Sequence, residues 1–198
     1  MKKNVLLPIL AAALPFIVGG CGTNAHYIKT GGRESVVTLS AINIQDFIQA
    51  ADSMTSDLLA KGVLDKVANP PAVIAISRIV NNTGAQVDTD LLTKKIRVAL
   101  LNSGKAQTTT TMGLGGTAED PMAKGLQQEA EFKADQQTTR TPDFTLSGKI
   151  IETTAHAGNT RQSTFSFQLS LTDARTGLAV WEGEKEITKQ GTRSTVGF

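Results

Sequence analysis

Toward its C-terminal end the chain changes character at every second residue, and this period of two constrains the fold more tightly than any other feature. Thr164-Phe165-Ser166-Phe167-Gln168-Leu169-Ser170-Leu171 alternates polar with apolar side chains, and the stretch from Pro142 to Glu152 does the same. Successive side chains of a strand point to opposite faces, so each segment predicts a strand buried on one side only. A third such segment, Leu178 to Glu184, follows Asp173-Ala174-Arg175-Thr176-Gly177, a compact hairpin turn with Gly177 available for a positive φ. The three segments predict an antiparallel meander.

The preceding part of the chain reads differently. Ile44, Phe47, Ile48, Ala51, Met54, Leu58 and Leu59 recur at spacings of three and four, which predicts an amphipathic helix with Asn43 at its N-cap and Gly62 as its stop. After Pro70-Pro71, the β-branched run Ala72 to Val80 predicts a short, largely buried strand. Asp88-Thr89-Asp90 then caps a second helix through Asn102, with Leu91, Leu92, Ile96, Ala99 and Leu100 on its apolar face and Lys94, Lys95 and Arg97 on the opposite one. The Thr108–Thr111 run is a candidate short strand, and Asp120-Pro121 opens a polar third helix reaching about Gln137. Strand–helix alternation followed by a meander predicts an α/β domain, with a mixed sheet and helices packed across at least one face.

The first twenty residues have a separate logic. Lys2 and Lys3 precede an apolar run from Val5 to Val18, the plan of a secretory signal. Its 14 residues would reach only about 21 Å as a helix, short of the ~30 Å of bilayer hydrocarbon, and Pro8 and Pro15 interrupt it. Val18-Gly19-Gly20-Cys21 resembles the bacterial lipobox, in which small residues open the backbone to processing and the thiol accepts a diacylglycerol group. The resemblance implies cleavage before Cys21 and a lipidated N-terminus held by more than one acyl chain, firm enough to anchor without spanning. Residues 1–20 are thus expected to be a signal peptide, 21–39 a flexible lipidated tether, 40–190 the globular domain and 191–198 a short tail. Gly22, where inner-membrane lipoproteins often carry Asp, points by the same resemblance to the periplasmic face of the outer membrane.

Charge and cysteine usage narrow the function classes. Without Lys2 and Lys3 the 20 basic side chains fall to 18, equal to the 18 acidic ones. A neutral mature chain lacks the electrostatic footprint of nucleic-acid binding. A lone cysteine excludes an internal disulfide, and two distant histidines, His26 and His156, argue against structural zinc. The loop Gly113-Leu114-Gly115-Gly116 lacks the Lys and Ser or Thr that complete a phosphate-binding loop. His156 has no nucleophile-elbow pattern beside it, and Glu182, Glu184 and Glu186 read as a solvated strand face rather than a catalytic pair. No catalytic residue, metal or cofactor is expected. Trp181, the single tryptophan, is a candidate partner anchor, although its strand setting favours the core.

Several of these segments carry a family resemblance. Ile76 to Thr83, Asp88 to Leu100, Asn102-Ser103-Gly104-Lys105, Thr172 to Gly177 and Trp181 to Ile187 resemble the penicillin-binding-protein activator lipoproteins of the LpoB family, as do the lipobox and the element order. The resemblance implies a domain like the N-terminal domain of TolB, without catalytic machinery, that docks on a bifunctional peptidoglycan synthase and raises its activity. Some members carry a long proline-rich tether; the stretch after Cys21 here is short and proline-free, with a relaxed span of about 25 Å. The expectation is a non-enzymatic, monomeric activator bound to a penicillin-binding protein and to the membrane through lipid alone. Arg78, Lys94, Lys95, Arg97 and Trp181 are the candidate partner-binding residues. The alternative is an assembly lipoprotein of the cell envelope, similar to those of curli export.

Overall fold

A computed structural model describes residues 25–111, 120–133 and 140–192. The signal segment and Cys21, the loop at 113–116, the expected last turn of the third helix at 134–137 and the end of the tail lie outside the described residues.

The element order is α1 (Ile44–Ala60), a short 3-10 turn (Val63–Lys66), β1 (Ala72–Asn82), α2 (Asp90–Asn102), β2 (Ala106–Thr108), α3 (Pro121–Lys133), β3 (Phe144–Ala157), β4 (Thr160–Asp173) and β5 (Ala179–Thr192). The strands form one mixed sheet in the order β2-β1-β3-β4-β5. β1 pairs in parallel with β2 and β3, while β3, β4 and β5 form the expected antiparallel meander. The meander strands are longer than their alternating cores, each running to 14 residues.

Each element forms for a local reason. In α1 the Asp46 carboxylate reaches back to accept from the Asn43 N–H at 2.7 Å, satisfying a donor that the helix leaves unpaired. Gly62, at φ +64, takes the left-handed conformation that stops the helix. α2 has Thr89 at its N-cap, with Asp88 Oδ1 accepting from the Asp90 N–H at 2.9 Å, and Gly104 turns left-handed beyond its end. Gly177, at φ +72, closes the β4–β5 turn, where Asp173 Oδ1 accepts from the Arg175 and Thr176 N–H groups.

α1 and α2 pack side by side on one face of the sheet. Phe47 of α1 meets Phe167 of β4 edge to face, with centroids 6.0 Å apart. Along β4 the residues Phe165, Phe167, Leu169 and Leu171 are buried, and the polar residues between them are not. β1 is covered on both faces from Ala72 to Ile76. A register shift between Ile76 and Ile79 lets both isoleucines reach the core although three positions separate them, and leaves Arg78 exposed. α3 buries none of its residues; Met122, Leu126 and Phe132 are exposed. It is more exposed than the half-buried helix its sequence predicts.

Candidate partner-binding surface

The face of the sheet turned away from α1 and α2 is polar because the alternation that fills the core places its polar partners there. Strand register sets Gln168 beside Glu184 and Ser166 beside Glu186, with Ser170 beside Glu182 and Thr164 beside Thr188. Glu184 Oε1 accepts from Ser166 Oγ at 2.5 Å and from Gln168 Nε2 at 2.7 Å. Ser170 Oγ donates to Glu182 Oε1 at 3.4 Å, and the Thr164 and Thr188 hydroxyls lie 3.0 Å apart. The Gln168 amide, then the Ser166 hydroxyl, hold the Glu184 carboxyl below its ordinary value, since both hydrogen bonds favour the ionised form. Glu182, Glu184 and Glu186 form a solvent-facing row on β5, with the intervening residues pointing inward.

On the inward side of β5 the core is tied by polar contacts. Trp181 is buried, and its Nε1 donates to Asp57 Oδ2 of α1 at 2.8 Å. Lys189 Nζ is buried against Asp46 Oδ2 at 2.5 Å, donates to Asn43 Oδ1 at 2.6 Å and to the Ala41 carbonyl at 2.8 Å, and lies 5.3 Å from the Phe165 ring centroid. The segment leading into α1 is thereby joined to the last strand. Sequence reasoning passed over Lys189. Its signal is strand phase: residues 181, 183, 185, 187 and 189 share the inward face, so a lysine there demands a buried partner.

The five candidate docking residues do not gather in one place. Arg78 is exposed in the irregular part of β1. On α2, Lys94 is exposed while Lys95 and Arg97 are half-buried, so this cluster is not uniformly solvated. Burial lowers the Arg97 guanidinium from its ordinary value, and Asp90 works against that shift. Trp181 lies three strands from β1, about 14 Å along the sheet, on the core side. His156, near the end of β3, is exposed and opposite Arg161. Among the described residues no group of three or more His, Cys, Asp or Glu could hold a metal ion, and no helix is long and apolar enough to cross a membrane.

A family model described as peptidoglycan-synthase activator LpoB matches residues 46–187. No curated protein matches the sequence. Among solved structures, the LpoB C-terminal domain from Salmonella enterica is 18% identical with a TM-score of 0.44, over 72% of this chain and 98% of that one. The NMR structure of E. coli LpoB is 16% identical with a TM-score of 0.41, over 96% of this chain and 94% of that one. Lipoprotein GNA1162 from Neisseria meningitidis is 16% identical with a TM-score of 0.34, over 63% of this chain and 88% of that one.

Proposed function

This chain belongs to the LpoB family of peptidoglycan-synthase activators, and on that premise we propose that it is an outer-membrane lipoprotein that binds a bifunctional penicillin-binding protein and activates it without catalysing a reaction itself. The observation that carries this reading is the span of the family match, which runs from the first turn of α1 into β5 and so takes in almost the whole fold. An activator of this kind works by binding the active conformation of the synthase more tightly than the inactive one, which shifts the population toward activity.

In this reading Cys21 carries the lipid, residues 21–39 form the tether, and residues 40–190 form the docking domain. Arg78, Lys94, Lys95 and Arg97 supply cations to the synthase from β1 and α2, and Trp181 supports the surface from the core.

The test adds the purified lipidated chain to each bifunctional synthase of the source organism and follows polymerisation of lipid-linked disaccharide precursor. A saturable rise in rate with one synthase is the expected result. No rise with any of them, at concentrations where the domain is folded, overturns the proposal.

A further inference from the structure

β5 is a terminal strand of the sheet, and the pairing pattern fixes which of its backbone groups face outward. β3 and β4 are joined by the two-residue turn Gly158-Asn159, with Gly158 at φ +57. In such a hairpin the flanking residues, Ala157 and Thr160, exchange both backbone bonds, and bonded pairs then recur at every second position. Even-numbered residues of β4 therefore bond to β3 and odd-numbered residues to β5. The Asp173 N–H, which bonds to the Leu178 carbonyl, obeys the same parity. Register then turns the odd residues of β5 toward β4, and leaves the N–H and C=O groups of Glu182, Glu184, Glu186 and Thr188 pointing away from the sheet.

Among the described residues no hydrogen bond reaches those outward groups, and all four side chains are exposed. From residue 182 to residue 188 the free edge is about 20 Å long, enough to pair with a strand of ordinary length. The side chains of these same residues set what will pair. Glu182, Glu184 and Glu186 repeat every second position on one face, where a neighbouring strand would place its own alternate side chains about 4.5–5.5 Å away. A second copy of β5 would set glutamates against glutamates, which is unfavourable.

We propose that the free edge of β5 is a docking site for an extended segment of another protein that carries Lys or Arg at every second position, added to the sheet as a sixth strand. Backbone bonds supply the attachment, and the glutamate row selects sequence and register. The inference does not depend on the partner being a synthase, since it rests on the edge and its charges.

The test uses the full lipidated chain, ¹⁵N-labelled, in detergent micelles. The probes are an acetylated peptide of about ten residues alternating Lys with Val and Thr, a peptide of the same composition with its lysines contiguous, and one alternating Glu in place of Lys. The alternating Lys peptide is expected to slow exchange of the residue 182, 184, 186 and 188 amides by roughly tenfold, the other two leaving them unchanged. Thr188→Pro, which removes an outward N–H while keeping the bonds to β4, abolishes that protection. E182K/E186K transfers the preference to the alternating Glu peptide. Equal protection by the contiguous peptide, no slowing at saturating peptide, or protection appearing with protein concentration alone overturns the proposal.

Discussion

Lys189 and Asp46, 143 positions apart in the chain, form an ion pair at 2.5 Å with side-chain exposures of 7% and 4%. The pair joins the last strand to the first turn of the first helix. Two further acceptors complete the ammonium's hydrogen bonding, and the Asn43 N–H completes one on the carboxylate. That satisfaction is what makes burying both charges tolerable.

Removing one partner leaves the other charged, buried and unpaired. Lys189→Met is therefore expected to destabilise the domain by about 3–5 kcal/mol, and Lys189→Met combined with Asp46→Leu by less, since the orphan charge is gone and what is lost is the helix cap and the ammonium's neutral bonds to Asn43 Oδ1 and the Ala41 carbonyl. Urea unfolding of the single and double variants measures both. A double variant no more stable than the single one contradicts this account.

Trp181 and Gly183 are coupled by space. A Cβ at Gly183 would stand 2.4 Å from Cζ2 and 2.5 Å from Cη2 of Trp181, so the indole lies where only glycine leaves room. Gly183→Ala should displace the ring, break its bond to Asp57 and cost about 1–3 kcal/mol. Because Trp181 is the single tryptophan, its emission reports the displacement directly, as a red shift in the folded protein. Unchanged emission would mean that the ring does not depend on Gly183.

Glu184 and Asp173 both have carboxyls held below their ordinary values, Glu184 by Gln168 and Ser166, and Asp173 foremost by the Thr176 N–H. A carboxylate depressed in the folded state adds stability above its unfolded value, near 4.5 for Glu184 and 3.8 for Asp173, and loses it as pH falls through the lower folded value. Unfolding midpoints should therefore decline on acidification below about pH 4.5. Glu184→Gln and Asp173→Asn should each flatten that decline, as read from denaturant melts between acidic and neutral pH. Melts as steep in both variants as in the parent would exclude these two groups as its source.

The proposed lipidation of Cys21 predicts a simple fractionation result. Cys21→Ser removes the thiol that would accept diacylglycerol, so radiolabelled palmitate should mark the parent and not the variant, and the variant should leave the membrane fraction. Label on the variant, or equal membrane retention of both proteins, would count against the lipid anchor.

Much of the fold was legible because its signals are local. A period of two exposes a half-buried strand and a 3.6-residue period exposes a packed helix, so α1, α2 and the meander could be placed from side-chain order alone. Asn43 and Gly62 marked the ends of α1 because capping and left-handed geometry involve residues close in sequence. The candidate docking residues are less legible. Lys94, Lys95 and Arg97 look equivalent on a helix drawn in isolation, but α2 lies against α1 and the sheet, and its neighbours half-cover two of the three.

The sequence by itself determined α1, α2, the core of β1 and the meander, with the ends of α1 and the alternating face that becomes the core, since each follows from the order of side chains along a short stretch. The expected strand at Thr108–Thr111 instead forms as β2 at Ala106–Thr108, where pairing with β1 sets it. Only the tertiary structure decided that β1 lies between β2 and β3, that Lys189 finds Asp46, and that Trp181 reaches Asp57. These relationships join residues 34 to 143 positions apart. No local periodicity encodes which distant partner a buried polar group will meet; that depends on how the whole chain closes around its apolar core.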